Sequence, residues 1–348
     1  MTHITSLPPE ILGLIFKTGN LSIKDAKNLV MTCKHMADNS EHIYAGVTVR
    51  SFKAHGGSTI HSIKFSSDGK LLVSGGGDGS IKLWDTRHAI LKKKMDYQSC
   101  VLVVAISNDG NLIAGGGKGG YILIHDIKSD KMYELRRDSL HWIHHITFTN
   151  DNKRIIIGYH DGVISSWNIE DEQSDKVIRG PTQPITSLAV SADGKYIAYR
   201  ILDFCFAVKR LDTNTEVFRF QENDDDDDNN GLTNYNGCIK FSKDSKTVVY
   251  NSRYRIYTTE IESGNTESCT VTPNINIETK STMFSDDLKY VAFSGYNNRN
   301  GCVHDIKQNI LKRELTGNIE WILTMAFSPC GKYIAGGGLG GNIRFWKL

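Results

Sequence analysis

A mainly β, seven-bladed propeller preceded by a small α-helical unit is the fold that this sequence predicts, on three observations. A turn phrase of the form apolar-Ser-x-Asp-Gly-Lys occurs in seven more or less exact copies. The copies are almost evenly spaced, and each is flanked by short β-patterned runs. A phrase repeating at about 40 residues marks one supersecondary unit per copy, the signature of a propeller or solenoid.

The phrase opens at Phe65, Ile106, Phe148, Val190, Phe241, Phe284 and Phe327, at intervals of 41, 42, 42, 51, 43 and 43 residues. Within the first copy, the runs 60–65, 71–73 and 81–84 are apolar or alternating, and Asp-Gly and Gly-Gly pairs separate them. Such runs read as strands, and Asp-Gly supplies the positive φ that a tight hairpin turn demands. Each third strand closes on a recurring pair, read as Trp84-Asp85, His125-Asp126, Trp167-Asn168, Leu211-Asp212, Thr259-Glu260, His304-Asp305 and Trp346-Lys347.

Together with Ala54-His55, Ser74 and Asp78, these pairs resemble the WD-repeat family, in which a His, a Ser or Thr, an Asp and a Trp hydrogen-bond inside each blade. Blade 1 keeps the whole set, and blades 4 to 6 match by turn phrase and spacing. The resemblance covers residues 46–348 and implies a closed ring. The sequence runs out at the third strand of blade 7, so residues 46–53, alternating around Val47, Val49 and Phe52, are expected to supply its outer strand. Trp84, Trp167 and Trp346 read as blade packing.

The long interval of 51 holds an acidic loop, residues 221–231, with Asp at every position from 224 to 228. A solvated loop is the plain reading of such a run. An acidic lip for a basic partner and a weak calcium site are the sharper ones, but the spaced ligands and central Gly of a calcium loop are missing.

Ahead of the repeats, Pro8-Pro9 and Glu10 suit a helix start. Ile11, Leu12, Ile15 and Phe16 fall on one face, and Gly19-Asn20 is a stop signal. Ser22 and Asp25 then begin a second helix, with Ala26, Leu29, Val30 and Cys33 on one face. Residues 4–45 resemble the F-box, through Leu7, Pro8, Glu10, Ile11, Leu12, Ile15, Phe16, Leu21, Leu29, Val30, Cys33 and Lys34 in order. His35-Met36 stand where an aromatic often follows. The resemblance implies that Leu7, Pro8, Ile11, Leu12, Ile15, Phe16, Leu29 and Val30 bind a Skp-type adaptor and, through it, a cullin. Read without the family, the stretch is an amphipathic helical hairpin packed on the propeller.

Combined, the two resemblances imply the substrate-recognition subunit of an SCF-type ubiquitin ligase, with a protein or peptide substrate on the narrow propeller face. The rival reading is a non-ligase protein-interaction scaffold with a structural helical hairpin. In substrate receptors of this kind the rim residues are the second of each first strand and the one before the second turn. Mapped here, with Trp142 and Trp321 one step ahead of their strands, the expected contacts are His61, Lys118, Trp142, His144, His160, Arg253, Lys280, Tyr296 and Trp321. One arginine among them suits a peptide held by apolar anchors better than an arginine-clustered phosphate site.

Other classes find little support. Lys and Arg number 41 against 39 Asp and Glu, so net charge favours neither nucleic acid nor membrane. The seven cysteines make no CxxC pair, which argues against a disulfide framework or zinc spacing and for an intracellular, cytoplasmic or nuclear, setting. Twelve histidines form no metal spacing, and residues 115–120, rich in glycine, align with propeller turns at 74–79 and 336–341 rather than a phosphate loop. No catalytic residue, metal or cofactor is expected.

Overall fold

The computed structural model describes residues 49–137, 141–171, 173–179, 183–201, 205–221, 237–252, 255–270, 279–295, 300–316 and 320–348. The helical unit expected over 4–45 and all but the first residue of the acidic loop lie outside them. Among the described residues the regular elements are 28 strands, grouped in seven four-stranded antiparallel sheets. The described residues form a seven-bladed β-propeller.

Blade 1 sets the pattern: Ile60–Phe65, Leu71–Gly76, Ser80–Asp85 and Ile90–Asp96 run in order, each hydrogen-bonded to the next. Blades 2 to 6 repeat it over residues 101–136, 143–179, 185–221, 239–270 and 279–315. Blade 7 takes its first three strands from Ile322–Phe327, Tyr333–Gly338 and Asn342–Lys347. Its fourth is Val49–Lys53, which lies beside Asn342–Lys347 and converts an open sheet edge into a paired one. First strands meet first strands of adjacent blades and so line the axis.

The cores lie between sheets. Ile60, Ile63, Leu72 and Trp84 of blade 1 pack with Ala326, Ala335, Ile343 and Phe345 of blade 7, and Phe52 of the added strand leans on the same cluster. Trp84, Trp167 and Trp346 are all buried here.

The repeated phrase has a physical cause. In blade 1 Ser66 Oγ donates to Asp68 Oδ1 at 2.6 Å, Lys70 N donates to the same oxygen at 3.0 Å, and Leu71 N donates to Ser66 Oγ at 2.9 Å. Ser or Thr and Asp thereby close a tight turn whose next residue sits at positive φ. That residue is Gly in blades 1, 2, 4 and 7, but Asn152 (φ 57°), Ser245 (φ 60°) and Leu288 (φ 55°) in blades 3, 5 and 6. Each of these three uses its side chain. Asn152 Oδ1 accepts from Asn108 N at 3.0 Å, Ser245 Oγ accepts from Asp193 N at 3.0 Å, and Leu288 packs into a blade core.

One third-strand pair needs correcting. The register pairs Tyr196 with Arg210, as it pairs Leu71 with Asp85, so Lys209-Arg210 close the third strand of blade 4. Leu211-Asp212 lie two residues further, where Leu211 N donates to Lys195 O and Asp212 accepts from Arg210 inside the following turn. The acid is in the turn, and it mimics the marker without occupying its place.

Candidate protein-interaction rim

Blade 1 holds the complete internal network. His55 bridges Ser74 and Asp78 at 2.8 Å on each side, Trp84 Nε1 donates to Ser74 Oγ at 2.8 Å, and Ser80 Oγ donates to Asp78 at 2.7 Å. Burial lowers the His55 pKa and keeps the ring neutral, so Nδ1–H donates to the carboxylate and Nε2 accepts from Ser74. Burial opposes ionisation of Asp78, yet hydrogen bonds from His55, Ser80 and Lys82 hold its pKa at about 2. This network ties the loop before the first strand to the turn after the second, and so fixes one sector of the rim.

Two features of the fold build the rim elsewhere. First, the register shifts by one residue at the second position of the first strand, between Ile60 and Ser62, Ile143 and His145, Thr279 and Ser281, and Ile322 and Thr324. A bulge re-aims the residue it displaces. His61, His144 and residue 280 occupy such bulges. Second, in blades 1, 2, 3 and 7 the residue that precedes the second turn donates its backbone N–H to the carbonyl just ahead of the first strand. Gly77 bonds Thr59 at 2.8 Å, Lys118 bonds Cys100 at 3.1 Å, His160 bonds Trp142 at 2.9 Å and Leu339 bonds Trp321 at 3.2 Å. The two rows of expected contact residues therefore lie side by side.

At blades 2 and 3 they converge. Trp142 is 42% exposed, with the Lys118 ammonium 4.7 Å from its ring centre. The His160 ring lies 5.6 Å from Trp142 and 5.1 Å from His144. His144 Nε2 and His160 Nδ1 are 2.9 Å apart, so one ring donates and the other accepts. Burial first, and His160 second, hold the His144 pKa at about 4. His61 completes the sector from blade 1; burial, then Lys118, lowers its pKa. The surface offers an aromatic plate, a cation stacked on it and a hydrogen-bonded imidazole pair, which suits aromatic or aliphatic anchors with a few directed hydrogen bonds.

Trp321 stands in blade 7 beside Leu339. Lys280 begins to be described only as backbone, in the strand Thr279–Phe284. Arg253 and Tyr296 lie outside the described residues, as do Leu7, Pro8, Ile11, Leu12, Ile15, Phe16, Leu29 and Val30.

Some neighbours escaped the sequence reading. Arg137 Nη1 donates to Asp161 Oδ2 at 2.9 Å, and His141 Nε2 lies 3.5 Å from the same oxygen, so blade 3 adds a charged border next to the aromatic plate. Asp161 is the turn acid of its blade, which was the available signal. Among the described residues no three His, Cys, Asp or Glu side chains gather closely enough to hold a metal.

Comparison with known proteins agrees with this architecture. Residues 46–85 and 309–347 match the family model of the WD domain, G-beta repeat. Each match joins an outer strand to the three strands of the blade that follows, in blades 1 and 7. The chain is 23% identical over 165 residues to a guanine nucleotide-binding protein subunit beta-like protein of Encephalitozoon cuniculi, covering 40% of this chain and 49% of the relative. The match thus spans about half of that relative's length. Two segments of the chain are thus similar to WD repeats, and WD-repeat propellers are in general non-enzymatic scaffolds with protein partners.

Proposed function

We propose that this WD-repeat propeller captures a polypeptide partner on the rim formed by His61, Lys118, Trp142, His144 and His160, and delivers it to a ubiquitin ligase through residues 4–45. The observation that carries the first half is the convergence of four predicted rim residues on one exposed aromatic site. The second half rests on the order of F-box residues from Leu7 to Lys34. In this reading Leu7, Pro8, Ile11, Leu12, Ile15, Phe16, Leu29 and Val30 form an apolar helical face that docks in a groove of a Skp-type adaptor, which links to a cullin. The setting is the cytoplasm or nucleus, where such ligases act.

A pull-down of the intact chain with a purified Skp-type adaptor tests the ligase half. Binding is expected, with loss in the double variant Leu12→Asp, Ile15→Asp. Absence of binding, or equal binding by that variant, leaves the propeller as a protein-interaction scaffold outside any ligase. The rim half is tested separately: Trp142→Ala with His160→Ala is expected to abolish partner capture while adaptor binding persists.

A further inference from the structure

Blade 7 lacks the Ser and the turn Asp of the network that blade 1 completes, and the gap has a definite shape. Leu348 N bonds Lys332 O as Thr86 N bonds Lys70 O, which aligns Ser74, Asp78 and Lys82 with Gly336, Gly340 and Arg344. In blade 1 the Lys82 ammonium donates to Asp78 at 3.0 Å and to the Ala54 carbonyl at 2.8 Å. Arg344 has no such acid, because residue 340 carries no side chain. Its Nη1 is buried without a hydrogen-bond partner.

Glu320 stands nearby but does not fill the role. Its carboxylate lies against Gly340 and takes the place that a Cβ there would fill. It favours the charged guanidinium through space, while burial disfavours it. Between these groups lies a cavity of about 60 Å³, lined by Glu320, Trp321, Gly336, Leu339 and Arg344, and Leu339 is 39% exposed where it meets solvent.

An unpaired buried guanidinium nitrogen is costly, and the cost disappears if an acceptor arrives from outside. The cavity is several times the ~10–15 Å³, measured in the same way, that one water needs, so it has room for a carboxylate. A carboxylate is planar and matches the guanidinium fork. Glu320 repels any incoming anion, and a doubly charged phosphate about twice as strongly as a carboxylate.

We propose that the blade 7 slot is a carboxylate subsite, in which Arg344 receives an Asp or Glu side chain of the partner polypeptide. The subsite rests on the reading of the rim as a peptide-capturing surface. It adds one requirement: an acidic residue at a fixed place, with apolar neighbours resting on Trp321 and Leu339.

Selection of random peptides on the intact chain tests it. Enriched peptides are expected to share one acidic position, and changing that residue to its amide should weaken binding about tenfold or more, since charge-assisted bonds of this kind exceed ~1.4 kcal/mol. Arg344→Gln should erase the acidic preference, and Arg344→Lys should keep part of it. Thermal melting guards against misfolding, because removal of an unpaired buried charge should leave Arg344→Gln at least as stable as the parent. Enriched peptides that depend on Trp142 but show no acidic preference, or a preference that survives Arg344→Gln, would overturn the subsite and leave the rim reading standing. No enrichment of any peptide would overturn both.

Discussion

Blades 7, 1, 2 and 3 are joined differently from blades 4, 5 and 6. At one position of the second strand the first group has Gly337, Gly75, Gly116 and Gly158, and the second has Arg200, Asn251 and Ser294. In the glycine arc the next blade's first strand fills the missing side chain's place. A Cβ on Gly75 would sit 2.5 Å from Val101 Cγ1, and one on Gly158 would sit 2.8 Å from Ile185 Cγ2. In the polar arc Arg200 and Asn251 make the contact by hydrogen bonds. Arg200 Nη1 donates to Asn251 O at 3.3 Å and Asn251 Nδ2 to Thr282 Oγ1 at 3.4 Å, while inside blade 5 Asn251 Oδ1 accepts from Cys238 N at 2.8 Å. Side chains there replace backbone pairing, so the first strand of blade 5 is only Ile239–Phe241. The same ring is thus closed by close packing on one side and by polar links on the other. The rim cluster and the carboxylate slot both belong to the glycine arc.

That contrast can be broken at its strongest point. Gly75→Leu should overpack the blade 1–2 contact and cost about 3 kcal/mol in chemical denaturation. A cost under about 1 kcal/mol would mean that the arc does not depend on close approach. Next in size, His55→Ala strands Asp78 and Ser74 and should cost about 2–3 kcal/mol, whereas Trp84→Phe removes one bond to Ser74 and should cost about 1 kcal/mol. Equal costs would show that the network does not act through His55.

Acid should loosen the glycine arc first. The pKa of His144 is about 4, and that of His145 is about 3 through burial and the Lys64 charge, both below the ordinary 6.5. Between those values the unfolded chain takes up protons that the folded one refuses, so stability is complete above about pH 6.5 and falls as pH drops toward 4. Hydrogen exchange at pH 7 and pH 5 should show blade 3 amides losing protection ahead of those in blade 5. A uniform loss would contradict this.

The smallest effects sharpen the polar side. Ser294 Oγ is buried without a hydrogen-bond partner, so Ser294→Ala should change stability by less than about 1 kcal/mol and in the stabilising direction. Ser245→Gly should be near neutral, because it relieves a left-handed residue and loses the bond from Asp193. A loss above about 2 kcal/mol in the first variant would point to a hydroxyl role in the polar arc.

The seven blades were legible because the phrase around Asp68 is itself the hydrogen-bonded turn, repeated wherever the chain reverses. Leu211-Asp212 misled because an acid in the turn after a strand looks the same in sequence as one at its end; only register separates them. Lys118, Trp142, His144 and His160 were legible one by one as rim positions, but their mutual contact depends on the bulge at His144 and the backbone bond from His160 to Trp142. The slot at Arg344 was not legible at all. It is defined by a side chain that Gly340 lacks and by the approach of Glu320, twenty residues earlier in sequence.

The most direct test is affinity purification of the intact chain from cells, in parallel with Leu12→Asp, Ile15→Asp and with Trp142→Ala, His160→Ala. The account predicts two independent losses: the Skp-type adaptor disappears only from the first variant, and the captured partner only from the second. An adaptor absent from the parent chain, or a partner set unchanged by the rim variant, would contradict it.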